Sequence, residues 1–478
     1  MDKDLIISAP RQGIGPSPHV GFGDVRNLDI FTSPGVAILN NAVANRGTTT
    51  ALVQWFAKNP LTPTEIFALD SSGQVYKSTN SGTSWATVTG ETTGGHGNGM
   101  AIWKDYLFVA RDAYLDVYGP LSSSPSWSNS WSAITLVSDS LWHPMLVSKN
   151  DNKLYIGAGR YIASLDEITA ATFLPGTSNT YTAISQALDL PPNYRIKCLE
   201  ELGNNLMIGT WMGTNIYDFK IADIFPWDRS LVSFGQPIQM VENGVNAMLN
   251  AGNYLIVMAG IGGAIYRSDG VNSTQIAQIP NSLANLDGGA YLTPYPGALV
   301  NYKGRVFFGV SGASAGMGVY SLLQTSKGNI LNFEHTISIG GDDCYIGALL
   351  GITRDNLLIG WSDTTFGIDS IDIATRTTSY GGYFDSPLYI VGTNLNKRSF
   401  TQLEFQLAQA LRTGEGIRVK YRTDLNTSFT TIGTYDYSTL GAVISHNTTA
   451  DIPETEFVQV RVELTGTTSP IFKSLTLK

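Results

Sequence analysis

YLIVMAGIGGAIYRSDG, residues 254 to 270, is an apolar run, a glycine-rich turn and a second apolar run that ends in charge and a further turn. Leu255 to Ala259 is too short for a helix and is bounded by Gly and Asn, so it reads as a strand. Gly260, Gly262 and Gly263 then read as a tight connection to a second strand carrying Ile265 and Tyr266.

The same sentence recurs along the chain. KLYIGAGRYIASLD (153–166), NLMIGTWMGTNIYDF (205–219), RVFFGVSGASAGMGVYS (305–321) and NLLIGWSDTTFGIDSID (356–372) repeat it, and EIFALDSSGQVYKS (65–78) and YLFVARDAYLDVY (106–118) are weaker copies. Anchoring on Ile66, Leu107, Leu154, Leu206, Leu255, Val306 and Leu357 gives steps of 41, 47, 52, 49, 51 and 51 residues. A steady period near fifty in a strand-rich chain marks one supersecondary unit used repeatedly. An outer strand keeps the same register: Trp85, Trp131 and Tyr181 are each followed three residues later by Val88, Ile134 and Ile184. The spacing predicts four-stranded blades in a closed ring.

The expected architecture is therefore all-β: an extended N-terminal arm over 1–44, a seven-bladed β-propeller over 45–392 and a small antiparallel, jelly-roll-like β-sandwich over 393–478. Strict alternation carries the last assignment. Leu403, Phe405 and Leu407, Ile417, Val419 and Tyr421, and Val458, Val460, Val462 and Leu464 each interleave with polar residues. Pro10, Pro16 and Pro18 give the arm its extended reading, with Val36–Leu39 as a candidate closing strand for a blade. An arm ordered against a neighbouring subunit predicts that deleting residues 1–30 abolishes assembly and spares folding.

Charged residues make up only 14% of the chain and the net charge is -9, which argues against nucleic-acid binding and against docking on anionic membranes. No apolar run approaches the ~20 residues of a membrane span, and Leu5–Ile7 is too short for a signal-peptide core, so a soluble cytosolic product is expected. Cys198 and Cys344 stand far apart, outside any metal or redox spacing, and read as small buried hydrophobes.

STNSGTSW (78–85) resembles an Asp-box, a motif known from sialidases, with Asn80 where Asp is usual. It falls between the third and fourth strands of the first blade, where Asn80, Gly82 and Trp85 serve a turn. A sialidase-like site needs an arginine triad and paired acids on inner strands. The inner strands carry no Arg and no Glu, and Arg160, Arg267 and Arg305 fall at unequal depths. Ser314 sits in a GxSxG, Gly312–Gly316, but no helix follows it as a nucleophile elbow requires. His19, His96, His143, His335 and His446 lie far apart. Acidic turns at 268–270, 342–343 and 369–372 lack the EF-hand pattern. Trp127 and Trp131 are an aromatic pair, one expected in the core and one over a loop; Tyr435, Tyr437 and His446 are weak sugar-site candidates. No catalytic, cofactor-binding or metal residue is assigned, and no enzyme activity or cofactor is expected.

The stretch GFGDVRNLDIFTSPGVAILNNAV (21–43) before the repeats, and GGYFDSPLYIVGTNLNKRSFTQLEFQL with FVQVRVELTGTTSPIFKSLTLK after them, resembles tailed-bacteriophage virion proteins. The resemblance implies a viral tail component, nozzle-like or hub-like, made in the host cytoplasm and assembled with copies of itself and neighbouring tail proteins. A receptor-binding or carbohydrate-binding adhesin for host surface glycan is the alternative; a glycoside hydrolase ranks below both.

Overall fold

The structure is a computed structural model that describes residues 4–10, 13–15, 22–33, 35–91, 94–131, 133–137, 142–167, 181–212, 222–279, 294–313, 317–325, 328–339, 343–375 and 381–478. The chain forms two compact units. The larger holds Ala44–Gly318 and Ile337–Ile373; the smaller holds Met1–Val43, Val319–Thr336 and Ala374–Lys478.

In the larger unit the opening stretch becomes two strands, Leu255–Ala259 and Ala264–Ser268, in the middle of an antiparallel sheet that begins with Val245–Asn250 and ends with Ser273–Gln278. Leu255–Ala259 is buried along its whole length. A strand covered on both faces has no solvent side, which explains its unbroken apolar run. The same up-and-down order builds the sheets that begin with Val53–Lys58, Gly97–Trp103, Met145–Val147 and Tyr194–Leu202. Leu299–Tyr302 and Asp343–Thr353 open two more.

These opening strands pack side by side in chain order, and Asp343–Thr353 packs against Val53–Lys58, so the series closes on itself. The larger unit is a β-propeller. Between sheets lie apolar layers such as Trp103, Phe108, Trp131 and Leu154, or Phe67, Val75, Leu107 and Val109. Each layer removes two sheet faces from water at ~25 cal/mol per Å² of apolar surface, and this burial holds the ring together.

The ring is sealed by a strand from the N-terminal side. Val43–Thr48 joins the outer edge of Ile368–Ala374; Asn45 donates to Ser370 Oγ at 2.6 Å, and Ser370 Oγ donates to the Gly47 carbonyl at 2.7 Å. The expected closing strand, Val36–Leu39, does something else: Ile38–Leu39 pairs with Leu28–Asp29. Polar Asn45 and Thr48 hid the true closer, because an outer strand has one wet face and needs no apolar run.

The extended arm expected to order against a neighbouring subunit instead supplies paired strands of the smaller unit. Leu5–Ser8 runs antiparallel to Phe472–Leu477, in register from Leu5–Leu477 to Ser8–Ser474, and Asp24–Arg26 pairs with Gly382–Asp385. The boundaries differ accordingly: the units part at Val43 and Ile373 instead of residues 44 and 392, and Val319–Thr336 belongs to the smaller one.

Among the described residues the smaller unit has two large sheets besides the short pair Leu28–Asp29 and Ile38–Leu39. Leu5–Ser8, Phe472–Leu477, Arg398–Leu407 and Ser445–Thr455 form one in that order. Gly328–His335, Asp24–Arg26, Gly382–Asp385, Phe457–Thr465, Gly416–Arg422 and Thr430–Asp436 follow one another in the second. Phe384 meets Phe472 at 5.3 Å and Phe405 meets Tyr435 at 5.2 Å, so aromatic rings from the two sheets interlock. Val458, Val460, Val462 and Leu464 are all fully buried, as their alternation predicts. No helix among the described residues is long and apolar enough to cross a membrane.

Candidate functional site

Five of the innermost strands of the propeller share one irregularity. Pairing with the second strand skips a residue between Val53 and Trp55, Gly97 and Gly99, Ile196 and Cys198, Val245 and Ala247, and Ile346 and Ala348. The skipped residues are Gln54, Asn98, Lys197, Asn246 and Gly347. A bulge re-aims its side chain and breaks the ladder locally, and here it recurs at one level around the ring axis. Backbones crowd at that level: a Cβ on Gly99 would stand 1.8 Å from the His143 carbonyl oxygen, and one on Gly297 would stand 2.1 Å from that of Gln54. Only glycine permits either approach.

Lys197 is buried and donates to Asn246 Oδ1 at 2.7 Å, while Asn246 Nδ2 donates to the Gly260 carbonyl at 2.5 Å. Among the described residues Lys197 has no carboxylate in ion-pair range, and burial pulls its ammonium down to about 8. Its Nζ lies 5.5 Å from the Trp142 ring centroid. Trp142 in turn meets Tyr295 edge-on at 5.7 Å. Trp142 leads into the sheet that begins with Met145–Val147, and Tyr295 into the one that begins with Leu299–Tyr302. Those sheets are not neighbours in the ring, so the two aromatics meet across its axis and cap it.

Beside this cap, His143 is fully buried. Its Nδ1 lies 2.8 Å from the Gly157 carbonyl and its Nε2 lies 2.6 Å from the Asp112 carbonyl. Both partners are carbonyl acceptors on different sheets, so whichever ring nitrogen carries the proton ties one of them to the ring, and the imidazole bridges two sheets. Arg111, also buried, donates to Asp116 at 2.8 Å and to the Gly73 carbonyl. Chemically this region offers an amide and amine ring under an aromatic lid, with its cations committed to carbonyls, amides and carboxylates of the same chain.

No family model matches the chain, and neither does any curated protein. Solved structures do. The WD40 repeats of RRP9 align with 13% identity and a TM-score of 0.48, covering 71% of this chain and 99% of that one. U3-55K aligns equally, at 13% and 0.48 over 70% and 99%. The Cps50 (Swd1) β-propeller domain of Myceliophteria thermophila aligns with 10% identity and a TM-score of 0.45, over 70% and 100%. None of them is a virion protein.

The residues singled out by the sequence fall in scattered places. In the Asp-box, Ser78 Oγ accepts from the Gly82 amide at 2.9 Å, Asn80 Oδ1 accepts from the Ser84 amide at 3.0 Å, and Trp85 packs on Phe56. Each of these contacts builds the hairpin. Trp131 is core, whereas Trp127 is half-buried on the outer rim. Arg160 pairs with Asp189 at 3.0 Å, Arg267 lies over Tyr254 and Arg305 over Phe307; the three stay apart. Cys198 and Cys344 are buried free thiols, pushed up by burial.

Asp269 caps its own turn through the amides of Val271 and Asn272. Asp372 is fully buried and bonded to Ser338, with its carboxyl raised by burial. His96 meets Asp112 at 3.1 Å, and His446 packs on Phe405 and Tyr435. Tyr437 opens the short helix Tyr437–Leu440. Among the described residues no three His, Cys, Asp or Glu side chains gather as a metal site. Ser314, His19 and Asp342 lie outside the described residues. Sequence reading missed the ring of bulges and the aromatic cap; the one available signal was a polar or glycine residue at the start of successive inner strands.

Proposed function

We propose that the chain is a non-enzymatic structural component of a virus tail, acting as copies assembled around the tail axis in a nozzle-like or hub-like part. In this reading the larger unit is a seven-bladed propeller and the smaller a jelly-roll-like β-sandwich. The cyclic packing of the opening strands supports the blade count, and the interlocked rings of Phe384 with Phe472 and Phe405 with Tyr435 support the sandwich.

The observation that carries the role is the inward use of polar chemistry. Lys197, His143 and Arg111 spend their hydrogen bonds on holding sheets to one another, and the Asn80 turn spends its own on closing a hairpin. Trp142 and Tyr295 meet across the axis of the propeller, and in this reading the conduit runs between copies. Partners are other copies and neighbouring tail proteins, with synthesis in the host cytoplasm and residence in the virion. Light scattering with electron-microscopic class averages tests this: a closed ring of several copies is expected, and a monomer at every concentration, alone or mixed with particle proteins, overturns it.

A second reading, a glycan-binding adhesin, is favoured by the aromatic groove between the outer edges of the first two sheets, which half-buried Tyr118 and Trp127 line together.

A further inference from the structure

The groove runs between the outermost strands of adjacent sheets, Ala86–Thr87 and Ser126–Ser128, and encloses about 710 Å³. Tyr118 and Trp127 form one wall, ring centroids 4.8 Å apart. Trp85 borders the groove as well, its ring packed on Phe56 at 6.0 Å in the layer between the first and last sheets. The hydroxyls of Thr79, Thr87, Thr89 and Ser126 border it and make no hydrogen bond among the described residues. Lys77 is its one charged residue, and Glu65 neutralises it at 2.8 Å.

Three occupants can be compared on chemistry. A nucleic acid or acidic glycan needs free cations, and the groove's only cation is already paired. An added peptide strand needs a long open edge to zip against, and these edges are two and three residues long. A neutral sugar needs flat apolar surface for its C–H faces and hydroxyl groups for its own, which is what this lining offers.

We propose that this groove binds a neutral oligosaccharide, its pyranose rings stacked on Trp127 and Tyr118 and its hydroxyls exchanging bonds with the threonine and serine rim. The inference rests on the adhesin reading and is independent of the tail role. The test is capture of the full-length chain on an array of neutral hexose, N-acetylhexosamine and deoxyhexose glycans with acidic glycans beside them. Two variants accompany it: Trp127→Ala, which removes the platform, and Thr87→Lys, which fills the groove from an exposed position.

Neutral-glycan capture weakened roughly tenfold or more by both variants is expected. No capture of any neutral glycan, capture of acidic glycans alone, or wild-type capture by Thr87→Lys overturns the groove. In the last case glycan binding itself survives and sits elsewhere. Ring assembly, measured on the same samples, is expected to stay unchanged, so loss of the groove and loss of the tail role read out separately.

Discussion

His143 and Lys197 show how far single side chains serve cohesion. Replacing His143 with Leu removes the ring donor from between two buried carbonyls, and an unsatisfied buried acceptor costs ~1–3 kcal/mol. A loss of that order in chemical denaturation is expected; an unchanged midpoint removes the stitching role. Lys197 adds a pH signature. Its folded pKa, about 8, lies below the ordinary lysine value, so between these two values the unfolded chain binds more protons than the folded one. Stability contributed at this position therefore rises with pH through that window and stays at its low value below it, where both states hold the proton. Wild type should gain on Lys197→Met as pH climbs from about 8 to about 10, by up to a few kcal/mol. A parallel pH course in the two proteins contradicts the buried amine. At this scale the sequence was legible where the chemistry is local. Ser78, Asn80 and Gly82 close a turn within their own eight residues, whereas Trp142, Lys197 and Tyr295 meet only because a ring brings distant segments to one axis.

At the scale of strands, bulges and closure are the sensitive points. Gly99→Ala forces a methyl group into the His143 carbonyl at 1.8 Å, so a destabilisation of ~3 kcal/mol or more is expected by thermal unfolding. A normal transition shows that the strands can part there. The N-terminal strands give a sharper test. Since Leu5–Ser8 and Asp24–Arg26 are paired within the smaller unit, deleting residues 1–30 is expected to impair folding itself, seen as loss of protease resistance around 398–478. A deletion variant that folds fully and fails only to assemble restores the arm. Core strands such as Leu255–Ala259 were readable because burial on both faces writes an unbroken apolar run. Val43–Thr48 and Leu5–Ser8 were not, because an edge strand records half a pattern and nothing in its own residues names its partner.

For the whole molecule, the sequence period foretold repeated sheets, and closure of the ring follows from the packing of Asp343–Thr353 on Val53–Lys58. The unit boundaries were less legible, since alternation and period report local geometry while a compact unit can borrow Val319–Thr336 from within the repeats. The pairing of Leu5–Ser8 with Phe472–Leu477 also sets a schedule. Contacts between such remote residues form late and slowly. A ribosome that has made the first strand must make almost everything else before that strand's neighbour exists, so a chain halted before Phe472 carries an open apolar edge around Ile7. Copies that stop short of that strand thus advertise themselves to proteases and chaperones, and a chain that hides that edge has been read through at least as far as Phe472–Leu477.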